Sequence, residues 1–254
     1  MHPAMRGDVE ATIGEVALSV IPDPALTMSQ LALLQRWRPR TDSGGGRRFV
    51  AMGRLVRQKN YPLMLEAFAG GAGADDRLTI FGDGPERDGL EALTRTLGVD
   101  GRVHFAGHVA ESAEALVDQD VLLLSSRYEG IPAALIEAMA CGMPIVATDC
   151  GDGVRGLLER CSHARLVGQH DAAAFGAAIR VAGVNKADRP NDQFDAADFT
   201  IEAGANAYLD AFSKVLRGVA AEGDVREPRD HGLVPTGLAP ANIAALIGSN
   251  RDAA

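Results

Sequence analysis

From Arg47 to Gly168 the chain repeats one arrangement: a strand-sized apolar run, a turn carrying glycine or charge, then a stretch of helical periodicity. The spacing predicts strands over 49–52, 78–81, 103–105, 121–124, 145–147 and 165–167. It predicts helices between them over 61–68, 86–97, 112–119 and 132–141, with a short one at 154–159. A strand followed by a helix and another strand, repeated, folds as a mostly parallel sheet with right-handed crossovers, so the expected class is α/β with a doubly wound, Rossmann-like sheet. Such sheets bind ligands beyond the carboxyl ends of their strands, and the glycine-rich and charged loops of this chain fall at those ends.

The flanks lack this pattern. A strand is hinted at over 15–20, and Thr41-Asp-Ser-Gly-Gly-Gly46 has the composition of a flexible linker. Between them, residues 26–40 carry Leu and Met at helical spacing together with Arg36, Trp37, Arg38 and Arg40. That stretch reads as a basic amphipathic surface element, a solvated connection rather than a membrane anchor. Helices are expected again over 171–181 and 200–216. The residues after 219 mix Pro, Gly and charge in the manner of a disordered tail. The expected organisation is therefore 1–46 as a flank ending in a linker, 47–216 as one domain, and 217–254 as tail.

Composition removes several function classes. Cys141, Cys150 and Cys161 are odd in number and form no Cys-x-x-Cys pair, so neither a disulfide framework nor a zinc site is indicated. A net charge of −9 gives no global attraction to nucleic acid, and any bound phosphate must be held locally. The longest apolar runs are strand-sized and the first residues lack the layout of a signal peptide, so a cytoplasmic protein is expected. Ser125 and Ser126 lack the Gly-x-Ser-x-Gly setting of a hydrolase nucleophile. His104 and His108 flank a strand end, where packing against a base is a better expectation than metal binding.

Local groups able to hold phosphate are present. Gly53-Arg54-Leu-Val-Arg57-Gln-Lys59-Asn60 puts a glycine and three cations in one loop. Glycine admits close backbone approach, Arg grips phosphate bidentately, and Lys adds a point charge. Phe81-Gly82-Asp83-Gly84-Pro85 is a second glycine turn after a strand; the third glycine of a dinucleotide fingerprint would fall at Arg87 and is missing. Ile131-Pro132 stands where a helix begins, and the free N–H groups of such a first turn favour an anion. Glu137 lies in the next turn, on the face of Ala133 and Ala134, where a carboxylate can accept hydrogen bonds from ribose hydroxyls. Glu129 precedes the helix, toward the sugar side of a bound pyrophosphate. Each of these features alone also fits a solvated loop, a structural turn or a surface charge.

Taken in order, the run from Gly53 to Asn60, Phe81-Gly-Asp-Gly-Pro-Glu86, Ser126-Arg-Tyr-Glu-Gly130, Glu137-Ala-Met-Ala-Cys-Gly142 and Pro144-Ile-Val-Ala-Thr-Asp-Cys150 resemble the retaining glycosyltransferases of family 4. The resemblance covers about residues 20–216 and is to the C-terminal, donor-binding domain of these GT-B enzymes, whose two Rossmann-like domains face a cleft. It implies that Arg54 and Lys59 contact the donor diphosphate and stabilise the departing nucleoside diphosphate, the work a metal does elsewhere, so that neither metal nor cofactor is needed. It implies that Glu137 binds ribose and that Glu129 contacts and orients the transferred sugar. Backbone at Gly53, Gly130, Ile131, Pro132 and Ala133 would add phosphate contacts, while Gly82 and the 103–109 segment with His104 would border sugar and base. Ile131 replaces the family's common aromatic residue, and Gly156 stands where a glutamate is frequent. On this resemblance 1–46 is expected to be a remnant of the crossover between the two domains, with the N-terminal acceptor domain largely missing. Two functions follow from the resemblance: transfer of a hexosyl group from a UDP- or GDP-sugar to a glycan or lipid-linked acceptor, at most peripherally on the cytoplasmic face of the inner membrane, or a nucleotide-sugar binding module inactive without a separate chain that supplies the acceptor domain.

Overall fold

The computed structural model describes residues 20–38, 45–159, 161–183 and 194–221. Six parallel strands form one sheet: β1 (Arg48–Met52), β2 (Arg77–Phe81), β3 (Val103–Gly107), β4 (Val121–Leu124), β5 (Ile145–Thr148) and β6 (Ala164–Val167). Their order is β3-β2-β1-β4-β5-β6. The sequence grows outward from β1 to one edge, then returns to the other side of β1, the doubly wound Rossmann arrangement. The chain reverses between β1 and β4, which pair through Phe49 with Val121 and Val50 with Leu122.

Side chains alternate along each strand, and both faces are covered. Phe49, Ala51, Val121, Leu123 and Val146 enter one core. Val50, Leu122, Leu124, Ile145 and Ala147 enter the other. Every residue of β4 and β5 is therefore buried, which is why these strands read as unbroken apolar runs. The edge strands β3 and β6 keep exposed positions.

The connecting helices are α2 (Tyr61–Gly71), α3 (Arg87–Thr96), α4 (Ser112–Val117), α5 (Ala133–Cys141) and α6 (Asp152–Leu158); α7 (Ala172–Val181) follows β6 and α8 (Ile201–Ala221) comes last. α2 and α7 lie in such close contact that a Cβ on Gly71 would sit 2.1 Å from the Gly176 carbonyl oxygen. Arg47 closes this side of the molecule. It pairs with Asp76 at 2.5 Å and donates to the carbonyls of Ile179, in the last turn of α7, and Ala182, just beyond it, at 2.7 and 2.8 Å.

Residues 26–38 differ from expectation. They are not a solvated connection: α1 (Met28–Leu34) is capped by Thr27 and Gln30 in a reciprocal box and packs against α4 and α5. Leu26, Leu31, Leu34 and Trp37 are buried, Trp37 Nε1 donates to the Gln119 carbonyl at 2.8 Å, and Ile201 N donates to Leu26 O at 2.8 Å. Trp37→Ala is accordingly expected to cost about 3–5 kcal/mol of unfolding free energy in urea titration. A solvated segment would lose almost nothing.

The helix expected over 200–216 runs on to Ala221, so the domain limit drawn at 216 falls inside it. By contacts the chain divides into two compact units, one through Ser213 and a second from Lys214, and the site described below lies within the first. The strand expected over 15–20, apart from Val20, and the tail beyond 221 lie outside the described residues. No helix among the described residues is long and apolar enough to cross a membrane.

Candidate functional site

The carboxyl ends of β1, β2 and β4 bring the predicted loops together. After β1, Gly53 adopts φ 146°, and a Cβ there would lie 2.9 Å from Lys59 Cε. The glycine makes room for the lysine stem. Arg57–Lys59 form a 3₁₀ turn that ends on Asn60 in the left-handed region, φ 50°, from which α2 starts. Tyr61 Oη donates to Gly53 O at 2.9 Å, and Ser125 Oγ donates to Lys59 O at 2.7 Å. The basic loop is thereby pinned to β1 and to the end of β4. Burial, and then the charge of Glu129, push the Tyr61 hydroxyl well above its ordinary pKa, so it remains a donor.

Lys59 and Glu129, 70 positions apart, meet directly: Nζ lies 2.5 Å from Oε1, with side chains 18% and 10% exposed. Ser126 Oγ donates to the same oxygen at 2.8 Å. Gln58 Nε2 also bonds Tyr128 O at 3.0 Å, and Arg127 N bonds Gln58 O at 2.8 Å. The loops after β1 and β4 are thus laced across the point where strand order reverses, the position at which such sheets hold ligands.

Gly130 to Ala133 follow. A Cβ on Gly153 would stand 2.4 Å from Gly130 O, and one on Gly151 2.8 Å from Glu129 O, so the loop after β5 braces this turn. Pro132 is the residue before the helix rather than its first member, and it offers no side-chain cap; α5 begins at Ala133, which is exposed. Ile131 is partly buried against the core.

A pocket of about 330 Å³ opens beside these loops, lined by Met52, Gly53, Arg54, Phe81, Gly82, Asp83, His108, Val109 and Ser112. Its size suits a small-molecule ligand. Arg54 is exposed and makes no salt bridge among the described residues. Gly82, at φ 137°, donates its N–H to Gly107 O at 2.7 Å and approaches Gly53 O, tying three loops together.

Two of the predicted residues lie outside the lining of this pocket. His104 sits within β3 opposite Thr79, exposed and outside the pocket lining; the histidine at the pocket is His108, after the chain turns at Gly107 with φ 77°. Glu137 does not line the pocket either. It is only 4% exposed and accepts a hydrogen bond from Ser112 Oγ, so Ser112 stands between it and the pocket. Burial pushes the Glu137 carboxyl up from its ordinary pKa, and the Ser112 bond opposes that shift. Ser112 and Ser126 carry no signal in the sequence beyond that of polar residues at an element end.

Among the described residues no group of three or more His, Cys, Asp or Glu is placed to hold a metal ion. The site can neutralise an anion with Arg54 and Lys59, offer carboxylate acceptors at Glu129, and enclose a flat group between glycine turns.

Residues 46–182 match the family model described as glycosyl transferases group 1. Over 130 residues the chain is 35% identical to the lipopolysaccharide core biosynthesis glycosyltransferase LpsE of Rhizobium meliloti strain 1021, covering 51% of this chain and 37% of that one. Its fold resembles that of the apo lipopolysaccharide outer core galactosyltransferase WaaB, with a TM-score of 0.62 and 22% identity, over 81% of this chain and 59% of that one. A TarM variant from S. aureus, solved with Fondaparinux, alpha-GlcNAc-glycerol and UDP, gives a TM-score of 0.60 and 19% identity over 81% of this chain and 39% of that one. The chain thus spans less than two thirds of the length of each of these relatives. With the family model matched over more than half of its residues, the chain belongs to the glycosyl transferases group 1 family.

Proposed function

We propose that this chain binds a nucleoside diphosphate sugar, UDP- or GDP-linked, and serves its transfer with retention to a glycan or lipid-linked acceptor in the assembly of lipopolysaccharide or a related polysaccharide. The observation that carries the reading is the Lys59–Glu129 pair, which spans the strand-order reversal beside Arg54 and the pocket. A diphosphate lying along Gly53 meets both cations, and their charge stabilises the phosphate that leaves when the glycosidic bond breaks. Arg54 and Lys59 then do what a metal does in other transferases. As Lys59 turns to the diphosphate, Glu129 loses its cation but keeps Ser126, which leaves a carboxylate oriented toward a sugar hydroxyl. Support for this donor comes from the UDP bound to the TarM variant, and support for the pathway from the lipopolysaccharide names of LpsE and WaaB. A cytoplasmic location, with at most peripheral contact to the inner membrane, belongs to the same proposal.

The partial coverage of its relatives favours a second reading for turnover: the chain binds the donor, and the acceptor side comes from another polypeptide. A panel of UDP- and GDP-sugars, scored for binding and for release of nucleoside diphosphate, tests both. Turnover by the purified chain rules out the need for a partner, and failure to bind any donor rejects the proposal.

Glu129→Ala sharpens the assignment. Removing the carboxylate frees Lys59 from its ion pair, so UDP or GDP is expected to bind as tightly as before or a few-fold more tightly, while donor turnover falls about a hundredfold or more. Calorimetry paired with turnover assays reads the two effects. Parallel losses in both would mean that Glu129 does not act on the sugar.

A further inference from the structure

The loops after β1 and β4 carry more positive charge than a bound donor uses. Residues 53–60 and 125–130 hold Arg54, Arg57, Lys59 and Arg127 against one acid, Glu129, in a chain of net charge −9. Lys59 is neutralised by Glu129 at 2.5 Å, and Arg54 lines the pocket. Arg57 and Arg127 remain. Both are exposed, neither lines the pocket, and neither makes a salt bridge among the described residues. Of the five N–H groups its guanidinium can donate, Arg127 uses one, from Nη2 to Asn60 Oδ1 at 3.3 Å.

The backbone that carries these side chains is fixed. Gln58 Nε2 donates to Tyr128 O at 3.0 Å, Arg127 N donates to Gln58 O at 2.8 Å, and Glu129 N donates to Cys150 O at 3.1 Å. Arg127 and Tyr128 are thereby stitched to the 3₁₀ turn that carries Arg57, while the Tyr128 side chain stays 64% exposed. The pocket leads through Gly53 and Arg54 to the Lys59–Glu129 pair, and Tyr128 and Arg127 come next. With a nucleotide in the pocket and its diphosphate along Gly53, the transferred sugar lies at Glu129, and an acceptor reaches it at the edge where Arg127 and Tyr128 are exposed. Guanidinium groups without carboxylate partners grip phosphate bidentately, and an exposed aromatic ring can cover the apolar C–H face of a sugar.

We propose that Arg57, Arg127 and Tyr128 form a subsite for the acceptor, and that this acceptor is anionic: a sugar carrying phosphate, gripped by the two arginines and covered by the tyrosine ring. The proposal rests on the nucleotide-sugar reading given above and adds to it the chemical class of the acceptor. It gives the donor-binding chain a share in choosing what receives the sugar.

The test is calorimetric titration into the full chain with its donor site filled by UDP or GDP. The titrants are glucose, inorganic phosphate, a polyglutamate peptide, glucose 6-phosphate, whose phosphate is a ring substituent as in a glycan, and glucose 1-phosphate, whose phosphate is anomeric as in a lipid-linked sugar. One of the two sugar phosphates is expected to bind at least about tenfold more tightly than glucose, through charge-assisted hydrogen bonds, and which one does so identifies the source of the phosphate. Arg57→Gln and Arg127→Gln should each remove most of that preference, and Arg127→Lys, which keeps the charge without the fork, should keep part of it. Tyr128→Ala should weaken the sugar phosphate about fivefold and leave inorganic phosphate within about twofold. All four variants change exposed side chains outside the pocket, and UDP or GDP should bind them within about twofold of wild type. No preference for either sugar phosphate in the filled wild type, or a preference that survives both glutamine variants, overturns the proposal and leaves the donor reading standing. A glutamine variant that loses the nucleotide itself also overturns it, by making these arginines part of the donor site. Tighter binding of polyglutamate than of either sugar phosphate overturns it as well, by making this edge a seat for an acidic protein surface. If the wild type binds neither UDP nor GDP, the donor reading falls and the inference falls with it.

Discussion

Arg54→Ala combined with Lys59→Ala is expected to lower the affinity for UDP or GDP about a hundredfold or more, since two charge-assisted contacts at about 1.5–3 kcal/mol each are removed. The two positions should not contribute equally. Arg54 is exposed and carries no salt bridge among the described residues, so its loss removes a phosphate contact and little else. Lys59 neutralises Glu129 at 2.5 Å, in surroundings where both side chains are mostly buried. Without it, Glu129 faces the incoming diphosphate as an uncompensated like charge, and Lys59→Ala alone should cost more than Arg54→Ala alone. A double-mutant cycle separates the contributions: adding Glu129→Ala to Lys59→Ala should recover part of the lost affinity. Unchanged affinity in the Arg54/Lys59 double variant would remove these residues from the site.

The second large effect concerns backbone. Gly82→Ala places a Cβ 2.0 Å from Gly53 O at a φ of 137°, so the steric and conformational penalties coincide. The loops after β1 and β2 would have to separate, and with them the bonds from Gly53 N to Phe81 O at 2.9 Å and from Gly82 N to Gly107 O at 2.7 Å. A loss of about 3–5 kcal/mol in urea unfolding is expected, with nucleotide binding impaired in whatever remains folded. Gly107 is the control. It also has positive φ, 77°, but a Cβ there meets nothing within 4 Å, and asparagine tolerates that region. Gly107→Asn should therefore stay within about 1 kcal/mol of wild type. Equal stability of Gly82→Ala and Gly107→Asn would show that the close approach at Gly53 does not matter.

Much of the sheet was legible because burial on two faces leaves a pattern that survives without tertiary knowledge. Val121 to Leu124 and the residues of β5 can be little else than central strands once helical stretches flank them. The loops carrying glycine and cations were legible for a related reason: the strand–helix repeat puts them at the carboxyl ends of β1 and β2. Residues 26–38 read as a solvated connection because Arg36 and Arg38 dominate the local composition, while Trp37 finds its place through a partner at Gln119, 82 positions away. His104 and His108 could not be ranked, because the turn at Gly107 re-aims the chain between them. Spacing placed Glu137 on the helix after β4 but did not reveal that it is buried. Whether a carboxylate faces solvent, a ligand or a serine depends on what packs over it, and here that is α4, whose first residue no local signal marks. The Lys59–Glu129 pair is likewise unreadable in the sequence, since the contact between the two residues exists only once β1 and β4 are neighbours.

The clasp on Arg47 has a consequence for the order in which the molecule is made. Arg47 enters the growing chain before β1, but the carbonyl of Ala182 that it grips arrives 135 residues later. At about 5–20 residues per second, a translating ribosome needs on the order of ten seconds to cover that distance. Until then Phe49 and Phe68 lack Phe175 and Ile179, the last pieces of their core. A nascent chain halted before α7 therefore presents an unsealed apolar face for as long as the halt lasts. Slow codons or a stall in that interval should send this protein to chaperones more readily than the same delay placed after residue 182.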